Sequence, residues 1–223
     1  MQKRLVFISI SLLISLLLSG CSVIESVVSG LFAGEDVDVP VFMDDFSNRD
    51  NGWTVTVSDQ GIVNYDGDTM RILINSPEVF FWSTPGISME DSVANVSTVK
   101  LSGPDNNLFG LVCRMQDERN YYAFLVSSDG YYGIVKVEDG FQQILGPGEM
   151  GTTGLVQGEN KTNHIRADCV GDELTLYLNW EKLISVTDSS FQKGEVGIIA
   201  GTLDNLGTDI GFDNFIILKP RSE

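Results

Sequence analysis

The side chain best suited to acid–base chemistry in this sequence is its single histidine, His164. A Ser–His–Asp triad would need this imidazole as its general base. His164 follows Asn163 at the start of a predicted strand, and no Gly-x-Ser-x-Gly turn is present to hold a serine nucleophile. The pattern therefore favours a structural histidine over a catalytic one.

The carboxylates are numerous but form no recognisable catalytic pair. The chain contains 31 Asp and Glu residues, yet it lacks the Glu-x-Asp-x-x-Glu spacing that puts two acids on one strand face for glycoside hydrolysis. The pairs Glu35-Asp36 and Glu138-Asp139 fall in a predicted linker and a predicted turn. A pair without a known spacing stays open among the 31 acids, but we favour a protein without enzymatic activity.

The N-terminus has the features of an export signal. Lys3 and Arg4 precede an apolar run from Leu5 to Leu18, which is too short for a membrane span of about 20 residues. Residues 18–21, Leu-Ser-Gly-Cys, resemble the bacterial lipobox, whose cysteine is acylated and becomes the new N-terminus. We predict a lipoprotein signal peptide over residues 1–20, lipidation of Cys21 and a tether over residues 21–40.

This N-terminal signal predicts an exported protein that is lipid-anchored to the bacterial cell membrane or outer membrane. An ordinary secretory signal with a chance cysteine is the alternative. The tether could be a short amphipathic helix or a disordered linker. The formal charge of −17, from 14 Lys and Arg against 31 Asp and Glu, argues against a nucleic-acid partner.

The remaining cysteines suggest a covalent link. Three cysteines and one histidine are too few for a His/Cys zinc cluster or an iron–sulfur site. Cys113 and Cys169 both fall on apolar faces of predicted strands, and an even pair in an exported protein favours a disulfide. Two separate buried thiols are the alternative.

The aromatic residues carry the strongest indication of a binding site. Trp180 lies in a predicted hairpin turn whose positive φ suits glycine better than tryptophan, so we expect an exposed indole. Exposed indoles stack on sugar rings or pack against a partner. Trp82, Tyr131 and Tyr132 could line one sheet face with Trp180, whereas Trp53 is assigned to the core. Alternatively, Trp82 and one tyrosine of each Tyr-Tyr pair are buried, because successive side chains of a strand point to opposite faces of the sheet.

These side chains must be positioned by strands. In the body of the chain, apolar and polar residues alternate with a period of two, and turns containing Gly, Asp and Asn separate the alternating segments. The turn at Ser128-Asp129-Gly130 predicts a β-hairpin. Residues 41–220 therefore predict an all-β, antiparallel two-sheet jelly-roll sandwich. The predicted strands are Trp53–Val57, Met70–Ile74, Val93–Leu101, Leu108–Met115, Tyr121–Val126, Tyr131–Val137, Phe141–Leu145, Asn163–Cys169, Glu173–Leu178, Leu183–Val186, Val196–Ala200 and Phe212–Leu218.

Three stretches carry a family resemblance. The first is Asp44-Asp45-Phe46-Ser47, followed by Asn51-Gly52-Trp53. The second is Asn120 to Phe124, together with Asp129 to Tyr132. The third begins at Asn163-His164-Ile165-Arg166, continues with Leu176 to Asn179 and Gly194 to Gly197, and ends at Phe212-Asp213-Asn214-Phe215. Their order over residues 41–220 resembles the concanavalin A-like, or laminin G-like, jelly rolls of bacterial exported proteins. The 3-keto-disaccharide hydrolase-type domains and laminarinase-type glycoside hydrolases share that fold.

The resemblance implies a possible structural Ca²⁺ between the N-terminal and C-terminal strands, with carboxylates from Asp45 and Asp213. In the alternative, Asp44 and Asp213 are solvated acids at strand ends. For function we favour a membrane-anchored, extracytoplasmic module that binds carbohydrate or another surface polymer. A sugar-derivative hydrolase and a non-catalytic, protein-binding scaffold are the competing hypotheses.

Overall fold

A computed structural model describes residues 39–220. The predicted signal peptide, the Cys21 lipidation site and nearly all of the predicted tether lie outside these residues. The described part is built from strands, and it contains no helix that is long and apolar enough to cross a membrane. Its first strand begins at Val39, two residues before the predicted start of the domain.

The seventeen strands of the described part follow one another with short connections. They are β1 Val39–Asp44, β2 Thr56–Val57, β3 Gly61–Tyr65, β4 Met70–Ile74, β5 Phe80–Ser83, β6 Ser88–Met89, β7 Ser92–Ser102, β8 Asn107–Asp117, β9 Asn120–Val126, β10 Tyr131–Glu138, β11 Phe141–Ile144, β12 Gly151–Thr152, β13 Thr162–Val170, β14 Glu173–Leu178, β15 Glu181–Thr187, β16 Gly194–Thr202 and β17 Thr208–Lys219.

The strands form two antiparallel sheets. Sheet A has the order β15-β14-β13-β7-β17-β4-β3-β2, with β1 also paired to β17. Sheet B has the order β11-β10-β9-β8-β16-β5, with β12 paired to β10 and β6 paired to β16. Alternate residues of both sheets point inward and form one apolar core, so the predicted all-β jelly-roll sandwich is confirmed.

The predicted strands are found, Met70–Ile74 and Glu173–Leu178 with the predicted ends and the others with shifted ends. The expected strand Trp53–Val57 shrinks to Thr56–Val57, because Trp53 turns into the core. Its indole Nε1–H donates to the Asp44 carboxylate (2.7 Å), which also accepts the Phe46 N–H (2.8 Å). Asp44 is therefore buried, and its alternative assignment as a solvated acid is wrong.

A disulfide connects the two sheets. Cys113 of β8 and Cys169 of β13 are both buried, and their Sγ atoms are bonded at 1.92 Å in the structure. The bond closes a loop between positions 56 residues apart. It passes through the core, so it joins sheet B to sheet A at their buried faces.

Next to this disulfide, a buried arginine holds three loops together. Arg114 is 2% exposed and lies where the pairing of β8 shifts register, with φ of 49°. Its guanidinium donates to the carbonyls of Glu90 (2.8 Å), Gly171 (2.7 Å) and Phe191 (3.0 Å). It also contacts the Asp91 carboxylate at 3.3 Å. One side chain thus satisfies backbone groups from three separate connections.

A second polar cluster lies at the edge of the core, around Asp188. Its carboxylate accepts hydrogen bonds from the Tyr122 hydroxyl and the Ser190 N–H, and Lys136 Nζ is 3.4 Å away. Burial raises the pKa of Asp188, but these hydrogen bonds outweigh it, so the net pKa lies below the ordinary value. Burial, followed by the hydrogen bond to Asp188, raises the pKa of Tyr122 to about 12.

We expect Asp188 to contribute stability that acid removes. Because the pKa is lower in the folded state than in the unfolded state, the contribution is complete above the unfolded pKa and disappears as pH falls through the folded pKa. Urea midpoints measured from pH 6 to pH 2 should therefore fall less steeply for Asp188→Asn than for the wild type. Parallel curves for the two proteins would contradict this assignment.

Candidate ligand-binding surface

Trp180 lies in the two-residue turn between β14 and β15, on sheet A. Asn179 and Trp180 both have left-handed backbones, with φ of 49° and 75°. The Asn179 side chain holds the turn, because its amide donates to the Leu155 carbonyl (2.8 Å) and its oxygen accepts the His164 N–H (2.8 Å). The indole is 79% exposed, so the predicted exposure of Trp180 is confirmed.

The imidazole of His164 is stacked against this indole. The two ring centroids are 5.1 Å apart and the planes differ by 28°. On its other side, His164 Nδ1 lies 3.2 Å from Ser97 Oγ. In strand register, Ser97 stands between Asp213 of β17 and His164 of β13. A triad needs histidine in the middle, so this arrangement does not support a catalytic role for His164.

The next row of side chains completes a polar and aromatic depression. Asn95, Arg166 and Tyr177 are neighbours across β7, β13 and β14. The Arg166 guanidinium lies 5.0 Å from the Tyr177 ring centroid, and its Nε–H donates to Asp168 at 2.6 Å. The depression has a volume of about 480 Å³ and includes Trp180, His164, Arg166, Tyr177, Asn95 and Asn214 in its lining.

This surface, which we call the Trp180 platform, combines the two features that sugar recognition uses. An exposed aromatic ring offers a flat apolar face for the C–H groups of a pyranose. Amide, guanidinium and imidazole groups beside it offer hydrogen-bond partners for hydroxyls. Asn95, Arg166 and Asn214 supply such polar groups in the lining.

The other predicted aromatic residues do not join the platform. Trp82 and Tyr131 lie on the outer face of sheet B, where Trp82 is near Tyr121 at 6.3 Å between ring centroids. Tyr132 points toward the core. The expectation of one face shared by Trp180, Trp82, Tyr131 and Tyr132 is therefore wrong, because their strands belong to different sheets and adjacent tyrosines point to opposite sides.

The predicted calcium ligands lie in separate depressions. Asp45 accepts hydrogen bonds from the N–H and hydroxyl of Ser47 and lies beside Asn51. Asp213 accepts the Asn214 N–H at 2.7 Å and faces Ser97. Within residues 39–220, no group of three or more His, Cys, Asp and Glu side chains is arranged to hold a metal. Calcium binding by Asp45 and Asp213 stays a prediction.

Sequence reasoning missed most of the platform. His164, Arg166 and Tyr177 alternate outward from β13 and β14, so their common face could have been read from period-two spacing. The contribution of Asn95 from β7 could not, because it depends on which strands are neighbours.

Comparisons with known proteins identify the fold. No protein-family model and no curated protein matches the chain. Among solved structures, it is similar to the carbohydrate-binding module CBM66 from Bacillus subtilis, with a TM-score of 0.60, 20% identity, and coverage of 75% of this chain and 96% of that one. A protein of unknown function with a galectin-like fold from Bacillus subtilis has a TM-score of 0.60 at 10% identity, covering 81% and 96% of the two chains.

A third similar structure is an endo-β-galactosidase from Clostridium perfringens, with a TM-score of 0.60 and 8% identity. That match covers 84% of this chain and 64% of the enzyme. At these identities, the similarity shows a shared fold only, so the function has to be argued from the residues of the site. Residues 39–220 thus have the jelly-roll architecture found in both carbohydrate-binding modules and glycoside hydrolases.

Proposed function

We propose that this chain is a non-catalytic carbohydrate-binding module whose ligand stacks on Trp180. The observation that carries the proposal is the 79% exposed indole, held by an Asn179-anchored turn and backed by the ring of His164. A backed ring loses little conformational freedom when a ligand binds, which favours affinity. The fold shared with a carbohydrate-binding module supports the same function.

The backbone at Trp180 strengthens this argument. A left-handed conformation costs a residue with a side chain about 1 kcal/mol, whereas glycine adopts it freely. Glycine would therefore suit the turn better at φ of 75°. A large aromatic residue at such a position indicates a role for the indole other than folding stability.

We expect Trp180→Gly to weaken glycan binding strongly without destabilising the fold. The substitution removes the stacking face and relieves the left-handed strain, so affinity for a glycan should fall at least about tenfold while unfolding free energy stays equal or rises. The full chain in lipid nanodiscs would be screened on a glycan array, and calorimetry would then give affinities for the glycans that bind.

Phe141→Ala is the matched control, because Phe141 is 80% exposed but lies on β11 of sheet B. It should leave glycan affinity unchanged. Absence of binding to every glycan, or equal binding by the wild type and Trp180→Gly, would refute the proposed platform. Release of new reducing ends from a bound glycan would instead support the hydrolase hypothesis.

We also propose that the module is exported and anchored by lipid on Cys21. The basic start, the apolar run and the Leu-Ser-Gly-Cys segment support this address. In bacteria grown with a clickable fatty acid, the wild type should be labelled and recovered with membranes, whereas Cys21→Ala should be unlabelled. Labelling of both proteins would place the acyl chain elsewhere and contradict the assignment.

A further inference from the structure

A second depression lies on the outer face of sheet B, the side of the sandwich opposite to the Trp180 platform. Its volume is about 760 Å³, within the range of small-molecule sites. Its floor is formed by outward-pointing residues of three strands, including Tyr121 and Leu125 of β9, Val135 of β10 and Ile199 of β16. We call this depression the sheet B groove.

Two residues of the groove lining, Phe80 and Met150, pack against glycines of the sheet. A Cβ atom at Gly201 would lie 2.3 Å from the Phe80 ring, and one at Gly133 would lie 2.6 Å from Met150 Sδ. Phe80 and Met150 therefore lie directly on the backbone of β16 and β10. Both also line the groove, so packing against the sheet fixes these two side chains of the lining.

The chemistry of the groove differs from that of the platform. Leu125, Val135 and Ile199 offer no hydrogen-bonding side chain, so sugar hydroxyls placed on them would lose water without replacement. Because these three side chains are already buried, an aliphatic ligand would gain free energy mainly by covering the half-buried Phe80, Leu108, Ile144 and Met150 around them. Asn106, Ser127 and Gln142 add hydrogen-bonding side chains, but most residues of the lining are apolar, so the groove favours a molecule with an apolar body.

The charged groups indicate which polar end such a molecule should carry. Asp129 and Glu149 are exposed side chains of the lining, and no Lys, Arg or His is present among the described residues that form it. The chain as a whole carries a formal charge of −17. An anionic headgroup would be repelled here, whereas a cationic one would meet two carboxylates.

We propose that the sheet B groove binds a small amphiphile with an aliphatic body and a cationic head. The body lies on the apolar floor, and the head is placed near Asp129 and Glu149. This site is separate from the Trp180 platform, so its occupancy does not depend on glycan binding.

The test compares two probes of equal chain length and opposite charge. The full chain in phosphatidylcholine nanodiscs would be titrated with octylammonium and with octanoate, and empty nanodiscs would supply the background of lipid partitioning. We expect saturable binding of octylammonium that is about tenfold tighter than any binding of octanoate. No saturable binding of either probe, or equal affinity for both, would overturn the proposal.

Variants locate the site. Ala123→Phe adds a ring on the groove floor and should weaken octylammonium binding. Because that variant could fold poorly, Asp129→Asn combined with Glu149→Gln gives an independent test: it should remove the preference for octylammonium over octanoate. Trp180→Gly is the control and should change neither affinity.

Two further results would contradict the site. An unchanged preference in the Asp129→Asn/Glu149→Gln variant would show that the carboxylates do not recognise the head. Binding that occurs only in a variant lacking residues 22–38 would identify that segment of the chain as the occupant of the groove instead.

Discussion

Replacement of Arg114 by methionine is expected to lower the free energy of unfolding by about 2–4 kcal/mol, a large part of the stability of an ordinary domain. The change removes the guanidinium but leaves the carbonyls of Glu90, Gly171 and Phe191 near an apolar side chain. The Phe191 carbonyl is buried, and its loss of a partner costs about 1–3 kcal/mol, whereas the carbonyls of the exposed Glu90 and Gly171 are only partly buried and add less. Urea unfolding followed by tryptophan fluorescence would measure the loss.

Arg119→Met is the matched control, because Arg119 is exposed and donates to the Asp139 carbonyl at the surface. That substitution should change stability by no more than about 0.5 kcal/mol. Arg114→Lys should lie between the two, since an ammonium on a flexible stem cannot reach three carbonyls in the fork geometry of a guanidinium. Equal stability of Arg114→Met and Arg119→Met would show that the three loops do not depend on Arg114.

Loss of the covalent link between Cys113 and Cys169 should have an effect of similar size. Closing a loop of this length stabilises the folded state by about 4 kcal/mol in the chain-entropy description. The wild type should therefore unfold at much lower urea in the presence of reductant, and Cys113→Ala/Cys169→Ala should be no more stable than the reduced protein.

Thiol alkylation in denaturant without reductant provides the check on this assignment, because both sulfur atoms are buried in the folded protein. Intact mass should show no alkylated thiol at Cys113 or Cys169 before reduction and two after unfolding in reductant. The double-alanine variant should be insensitive to reductant in the urea experiment. Free thiols in the unreduced protein, or a wild-type midpoint that reductant leaves unchanged, would contradict the prediction.

Local patterns were sufficient for most of the fold. The hairpin of β9 and β10 was predicted because Gly130, with φ of 97°, closes a turn between two alternating segments. The short strands β3, β5, β6 and β12 escaped prediction, and β1 fell across the predicted end of the tether. Pattern reasoning thus succeeded where alternation ran long enough to be distinguished from a loop.

The site was harder to predict because its residues meet through strand order. Alternation shows that His164 and Arg166 share a face of β13, but only the pairing with β7 brings Ser97 and Asn95 beside them. For the same reason, Trp82 and Trp180 were expected together although they lie on different sheets. The role of Arg114 could not be predicted, because it depends on a shift in the pairing register of β8 that the sequence does not show.

The two-layer construction has a consequence for valency. The Trp180 platform and the sheet B groove open on opposite faces of one core, and a disulfide through that core resists relative movement of the sheets. Two ligands bound there would not compete for space, and each affinity should be the same whether or not the other site is filled. The domain would then act as a bridge, holding a glycan on one side and an amphiphile on the other with additive binding free energies.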